Sequence, residues 1–223
     1  MKIDIHTHTL YSGDSKTKPI ELVKYSRKVG LDGIAITDHD NVKGCLECEK
    51  INSDIIVLPG VEVSCKEGHI LAIGIKENIE KKLSLIETME KIRDLGGIVI
   101  IPHPYRFLTG VLRNSTTAVK NFSEKHKKDI KCIEVINGRC TIKENRKALS
   151  FAEKFGLSKV GGSDAHEISE VGKAYTNVNA NGKEDVLQAI EKGKCSPLGS
   201  GLNYGDFMKA TAMRGYFWLK RKL

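Results

Sequence analysis

Short apolar runs recur along the chain. Between them lie stretches in which the apolar residues have the spacing of a helix. Ile34-Ala35-Ile36 and residues 55–59 and 98–101 have the length and composition that are typical of buried strands. Residues 19–29 and 83–95 are predicted to be helices, the first with Pro at its start and Gly30 at its end. The pattern predicts strands and helices that alternate about seven times.

The other predicted elements continue this alternation. Further strands are predicted over residues 2–5, 60–63, 69–75, 132–136, 159–160 and 174–178. Further helices are predicted over residues 43–51, 118–128, 143–155 and 184–192, with Gly156 as the C-cap of the third. Residues 105–117 have no clear period and are expected to form a loop over one end of the fold. The alternation predicts a parallel sheet with outer helices, and at 223 residues a closed or nearly closed barrel.

Histidine and acidic residues stand where the predicted strands end. His6 and His8 lie two positions apart on the first strand, so both rings can reach one point. The residues at equivalent positions of other strands are His39, Glu62, His103 and Asp164. In β/α barrels the chemistry takes place at the carboxyl ends of the strands, so the barrel would gather these side chains on one rim. Imidazole and carboxylate groups in one place suit a transition metal.

The charge of the chain is strongly positive, with a formal net charge of +8 and a pI near 9.1. This balance favours an anionic partner or substrate, and a lysine-rich solvated surface is the alternative. The densest basic stretch is residues 125–128, where His126 is read as a surface residue.

Cysteine usage and hydropathy suggest the compartment. Of six cysteines, Cys45 and Cys48 form a C-x-x-C without a second pair at zinc-ribbon spacing, so all six are expected to be free thiols. No apolar run approaches the ~20 residues of a membrane span, and nothing resembles a signal peptide. We therefore expect no transmembrane segment and a reducing, cytoplasmic location.

Six short motifs together resemble the PHP family, named for polymerases and histidinol phosphatases. In chain order they are Asp4-Ile5-His6-Thr7-His8, Thr37-Asp38-His39, Gly60-Val61-Glu62, Gly68-His69, Pro102-His103-Pro104 and Gly162-Ser163-Asp164-Ala165-His166. They occur in the family's order and cover about the first 180 residues. The resemblance implies a metal-dependent phosphoesterase with the family fold, a distorted seven-stranded (β/α)7 barrel.

The resemblance also implies two or three divalent ions, Mn²⁺, Zn²⁺ or Fe²⁺. The ligands that it implies for the first ion are His6, His8, Glu62 and Asp164. Glu62 would bridge to a second ion, which His69 and His103 would also hold. The ligands implied for the third ion are Asp14, His39 and His166.

The charges of this implied site suit a phosphomonoester. Three divalent ions bring six positive charges, and three carboxylates with one metal-bridging hydroxide leave about +2, which matches a phosphate dianion. That hydroxide is the expected nucleophile. Asp164 or His166 is expected to carry the proton, while Glu62 bridges two ions.

Substrate contacts are expected from two arginines. Arg106 follows the Pro102-His103-Pro104 motif and could form a bidentate phosphate contact, and Arg139 ends the next strand. An ordinary surface position is the alternative for both. Asp38 is expected to orient a metal-bound histidine.

The chain is predicted to divide into a barrel domain, residues 1–194, and a C-terminal linker with an amphipathic helix, residues 195–223. The helix, predicted over residues 207–220, carries aromatic residues next to basic ones. It is expected to pack on the barrel or on a second subunit of a homo-oligomer, and binding to a membrane surface is the alternative.

The first functional hypothesis is hydrolysis of a small phosphorylated substrate, a nucleotide or a short nucleic acid. Histidinol phosphate is the alternative substrate, for which the chain is short. A different class is a metal-binding regulatory or nucleic-acid-binding module without turnover. The complete set of ligand positions favours the enzyme.

Overall fold

Strands and helices alternate along the chain, and the computed structural model describes them over residues 1–113 and 130–202. The nine strands are β1 Lys2–Thr7, β2 Gly33–Ile36, β3 Ile56–Ser64, β4 His69–Ile73, β5 Ile98–Ile101, β6 Cys132–Asn137, β7 Ser158–Gly162, β8 Ala174–Val178 and β9 Cys195–Gly199. The α-helices of these ranges are α1 Pro19–Lys28, α2 Lys43–Cys48, α3 Leu85–Asp94, α4 Ile142–Phe155 and α5 Lys183–Glu191. The helix predicted over residues 118–128, His126 and the helix predicted over residues 207–220 lie outside the described residues.

The strands from β1 to β7 form a nearly closed α/β barrel, as predicted. They are neighbours in chain order, and the segment after β7 returns to β1. There the His8 N–H donates to the Ala165 carbonyl at 2.9 Å, and the Asp164 N–H donates to the His6 carbonyl at 2.7 Å. These backbone bonds close the ring and bring the ends of β1 and β7 together.

The sheet is mixed, so the prediction of a parallel sheet was wrong, and it has nine strands, two more than the seven of the predicted barrel. β4 pairs antiparallel with both β3 and β5. Only residues 65–68 connect β3 to β4, too few for the crossover that parallel strands require. β8 and β9 add an antiparallel extension to the other edge of β1. The segment predicted as the start of a linker therefore contains a strand, Cys195–Gly199.

The helices begin and end at the residues that local chemistry favours. Pro19 opens α1, while Ser84 and Thr141 accept hydrogen bonds from the third residues of α3 and α4. Gly156 ends α4 in the left-handed conformation, with φ 63°, as predicted. None of the helices in the described ranges is long and apolar enough to cross a membrane.

Two buried apolar clusters lie on the two faces of the sheet. One lies between the sheet and α1 to α4 and includes Leu22, Ile36 and Met89. The other fills the barrel, where Leu58 and other strand residues meet Ile190 of α5. Side chains alternate along a strand, so Glu62, four residues after Leu58, also faces the barrel interior. The interior thus changes from apolar at one end to acidic and imidazole groups at the other.

Candidate metal centre

Glu62 lies at the centre of the polar end of the barrel, and its side chain is 1% exposed. Its Oε1 lies 2.9 Å from His69 Nδ1 and 2.8 Å from His103 Nε2. Its Oε2 lies 3.2 to 3.4 Å from nitrogens of three more imidazoles, those of His6, His8 and His39. Five histidines, from the ends of four strands, therefore surround one buried carboxylate.

Asp164 completes the set predicted for the first ion. Its Oδ1 lies 3.3 Å from His8 Nε2 and 3.6 Å from His6 Nε2. Ligand atoms of His6, His8 and Asp164 lie within 4.8 Å of one another. The closure of β7 onto β1 brings these residues together, although more than 150 positions separate them in the sequence.

The residues predicted for the third ion also come together. Asp14 Oδ2 lies 3.0 Å from His166 Nε2 and 3.4 Å from His39 Nε2, and the His8 ring belongs to the same group. Gly13 makes the left-handed turn, with φ 81°, that directs Asp14 back over the rim. The Asp14 side chain is 44% exposed, so this part of the centre is open to solvent.

The arrangement of the candidate ligand atoms suits bound divalent ions better than it suits hydrogen bonds among the side chains. His8 Nε2 and Asp164 Oδ1 are both buried, yet neither has a hydrogen-bond partner among the described residues. They lie 3.3 Å apart with poor hydrogen-bond geometry. Buried polar atoms are normally satisfied, and a shared cation would satisfy both. Imidazole nitrogens and carboxylate oxygens are the ligands that Zn²⁺, Mn²⁺ and Fe²⁺ use in proteins.

Electrostatics keep two of the imidazoles neutral. Burial and the charge of Arg106 lower the pKa of His103 to about 3. Burial and the neighbouring His166 also lower the pKa of His8 well below its ordinary value. Because a metal binds the neutral imidazole, both rings are ready to be ligands at neutral pH.

The two buried carboxylates stay ionised. Burial raises the pKa of Glu62, but the charges of His69 and other imidazoles outweigh it and hold the pKa well below its usual range. Burial has the same effect on Asp164, and the charge of Arg106 outweighs it there. Two negative charges are thus held inside the barrel, where divalent cations would neutralise them.

Two of the predicted ligands have unusual backbone conformations. His103 has φ 29° and Asp164 has φ 56°, which non-glycine residues seldom adopt. Each is the second residue after a strand, His103 after β5 and Asp164 after β7. Such conformations persist where the surrounding structure fixes them, which is common at functional sites.

The sequence analysis missed Glu134, a fully buried carboxylate on β6. Its Oε1 lies 3.2 Å from His6 Nδ1, and its Oε2 accepts from the His103 backbone N–H at 2.8 Å. Asn137 Nδ2 also donates to Oε2, at 2.8 Å, and to Asp164 Oδ2, at 3.2 Å. Glu134 therefore contacts two predicted ligands, His6 and His103, and is linked to a third, Asp164, through Asn137. One acidic residue within the apolar run of residues 132–136 was the signal that could have found it.

The structure places the two predicted phosphate contacts at the rim but in ion pairs. Arg106 Nη2 lies 2.5 Å from Asp164 Oδ2 and donates to Asn137 Oδ1 at 2.7 Å. Arg106 Nε has no partner among the described residues. Arg139 Nε lies 3.5 Å from Glu170 Oε1. Arg106 is thus bound to Asp164 and Asn137 through Nη2, and its Nε is buried.

The role expected of Asp38 was wrong. Its carboxylate accepts from the Thr9 backbone N–H at 2.5 Å and from Thr9 Oγ1 at 2.7 Å, not from a histidine ring. The hydroxyl of Ser12, which the sequence analysis did not single out, lies 3.0 Å from His8 Nδ1 instead. Asp38 therefore fixes the loop that follows His8, and burial raises the pKa of Asp38 to about 6.

Family models match most of the chain. The model of the PHP domain matches residues 4–135, and the model described as PHP-associated matches residues 143–195. Seven of the nine predicted metal ligands and Arg106 lie within the first match. Both matches agree with the resemblance inferred from the six motifs.

Curated relatives match between 44% and 78% of the chain. An uncharacterised protein of Methanocaldococcus jannaschii is 33% identical over 78% of this chain and 69% of its own length. A "probable phosphatase" of Caldicellulosiruptor bescii is 27% identical over 78% of this chain and 83% of its own. A 5′-3′ exoribonuclease of Haemophilus influenzae is 29% identical over 44% of this chain and 38% of its own.

A solved structure has the same fold. It is a two-domain protein of Bacteroides vulgatus that contains a predicted PHP-like metal-dependent phosphoesterase, and it is 20% identical to this chain. The similarity has a TM-score of 0.73 and covers 94% of this chain and 68% of the other. At this identity the similarity supports the barrel fold.

Proposed function

The chain belongs to the PHP domain family, and on this basis we propose that it hydrolyses a phosphomonoester with two or three bound divalent ions, Mn²⁺, Zn²⁺ or Fe²⁺. The observation that carries the proposal is the buried Glu62 with five imidazoles around it, next to Asp164 and Asp14. The residues proposed as ligands are His6, His8, Asp14, His39, Glu62, His69, His103, Asp164 and His166. When bound, the ions would lower the pKa of a shared water and neutralise the phosphoryl oxygens.

The chain's own residues would orient the substrate and handle the proton. Arg106, held by Asp164 at the rim, would bring its positive charge to a phosphoryl oxygen as negative charge increases there. Arg139 is a second proposed contact. The low pKa of Asp164 suits a ligand better than an acid, so we assign proton transfer to the leaving group to His166 in the form of the centre that holds two ions, in which His166 binds neither. His166 lies at the open, Asp14 side of the centre, where a leaving group can enter and depart.

A nucleotide or short oligonucleotide is the substrate class we favour. The net charge of +8 favours an anionic substrate, and two similar proteins bear the names of a probable phosphatase and a 5′-3′ exoribonuclease. Histidinol phosphate is the alternative within the same reaction class.

The test is phosphate release by protein reloaded with Mn²⁺, Zn²⁺ or Fe²⁺ in turn, with elemental analysis of bound metal. Substrates would be p-nitrophenyl phosphate, mononucleotides, short oligonucleotides and histidinol phosphate. We expect hydrolysis that depends on metal, and a Glu62→Gln variant should lose at least about 10²-fold in kcat/KM. No release from any substrate by protein with verified metal would contradict the proposal and favour a non-catalytic module.

A further inference from the structure

A pocket of about 570 Å³ lies on the outer face of α4, next to Tyr105. Its basic lining residues are Lys143, Arg146, Lys147 and Lys154, and none of the described residues that line it is acidic. The function proposed above uses none of these side chains.

The four basic residues follow the helical repeat. Positions three, four and seven residues apart lie on one face of a helix, so the four cations form a stripe along α4. All four are exposed. The eleven steps from Lys143 to Lys154 span about 16 Å at 1.5 Å per residue. That length matches several consecutive phosphates of a nucleic acid strand.

Aromatic rings line the same pocket. Tyr105 and Phe151 lie 6.4 Å apart, centroid to centroid, and Phe151 and Phe155 lie 4.6 Å apart. Phe151 is buried, whereas Tyr105 and Phe155 are half-buried and present part of their surface. Lys147 Nζ lies 5.9 Å from the Tyr105 centroid, so a cation and a ring are adjacent at one place. Cations beside aromatic faces are the combination that binds single-stranded nucleic acids.

Two sets of contacts link the residues of the pocket to those of the metal centre. Tyr105 is the residue before Arg106, which pairs with Asp164. The helix is fixed at the same rim, because Asn145 of α4 accepts from the Asn137 backbone N–H at 3.1 Å. Asn137 in turn donates to Asp164. Residues of the pocket and of the metal centre are therefore neighbours in the fold.

We propose that this pocket binds single-stranded nucleic acid, with phosphates on the basic stripe and one or two bases stacked on Tyr105 and Phe155. The inference rests on the proposed function and narrows its substrate class to oligonucleotides. Phosphates of the strand beyond the reacting one would contact Lys143, Arg146, Lys147 and Lys154.

The experiment measures binding without turnover. A short fluorescein-labelled single-stranded oligodeoxynucleotide is titrated with protein in EDTA at several salt concentrations. The test variant is Arg146→Gln with Lys147→Gln, and the control, Lys24→Gln with Lys91→Gln, removes the same charge from exposed sites on α1 and α3. Glutamine is a good helix former, so both variants should fold. We expect the test variant to bind roughly tenfold more weakly, with a salt slope lower by about 1.4, and the control to match the wild type.

A second probe separates nucleic acid from other polyanions. An abasic strand of the same length keeps the phosphates but lacks the bases, so it should bind at least roughly fivefold more weakly than the normal strand. Equal losses of affinity in the test and control variants would overturn the proposed binding site, because binding would then depend only on the total charge of the protein. Equal affinity for both strands would overturn the nucleic acid assignment. Hydrolysis of p-nitrophenyl phosphate by the wild type tests the catalytic proposal separately, because that substrate has no strand to place on α4.

Discussion

At the scale of single residues, one buried carboxylate lies behind two of the predicted ligands. Glu134 is fully buried, and its oxygens face His6 Nδ1 and the His103 backbone. A carboxylate behind a metal-bound imidazole fixes the ring tautomer, so that Nδ1 carries the proton and Nε2 faces the metal. Nε2 of His6 is indeed the nitrogen that faces Glu62 and Asp164.

We predict that Glu134→Gln weakens metal binding by about 10- to 100-fold with little change in fold. Glutamine has nearly the same shape but offers only one acceptor oxygen, so it cannot accept from both His6 and the His103 N–H. Chelator competition would measure the affinity, with Glu153→Gln on the exposed surface of α4 as the control. Equal metal affinity in the two variants would show that Glu134 does not support the metal ligands.

At the scale of elements, sequence patterns predicted most of the barrel because local composition determines short strands and capped helices. β5 and β8 have the predicted bounds. β9 was missed because Pro197 with neighbouring glycine and serine is typical of a linker, yet proline is tolerated on an edge strand such as β9. The direction of β4 could have been predicted from its short connection to β3.

The candidate site was predictable for a different reason. Its ligands are chemically distinctive and stand at strand ends, so the barrel topology alone places them together. The contacts of Glu134 and the ion pair between Asp164 and Arg106 were not predictable, because which buried side chains touch depends on the register between strands far apart in sequence.

Helix α2 contains a glycine that packing requires. A methyl group at Gly44 would overlap the carboxylate of Asp38 and the hydroxyl of Thr9. These two groups hold the loop after His8. Gly44 therefore lets α2 approach the first strand end.

We predict that Gly44→Ala destabilises the protein by about 1–3 kcal/mol. In an open helix the same change would stabilise by up to about 1 kcal/mol, so the sign of the effect is diagnostic. Urea denaturation would measure the free energy of unfolding. Gly182→Ala is the control, because Gly182 has extended backbone and open space around it. A stabilised Gly44→Ala protein would contradict the packing described.

At the scale of the whole molecule, the barrel holds charged groups that only cations can fully satisfy. Glu62 and Asp164 stay ionised although they are 1% exposed. The folded chain should therefore be markedly more stable with metal than without it.

We predict that Mn²⁺ or Zn²⁺ raises the Tm and that EDTA reverses the rise. Ions at a thousandfold excess over Kd add about 4 kcal/mol, or roughly 8–16 °C for a chain of this size. Thermal melts with and without chelator would measure the shift. Glu62→Gln protein should show a much smaller shift, and an equal shift in that variant would place the stabilising ions elsewhere.

The closure of the barrel by the strand end at Asp164 also has a consequence for synthesis on the ribosome. His6 and His8 emerge first, but Asp164 and His166 lie more than 150 residues later. The first set of ligands cannot assemble until β7 has docked on β1. A nascent or truncated chain that ends before β7 would therefore lack a complete site. Tight metal binding by a nascent chain would thus indicate that translation has passed residue 166.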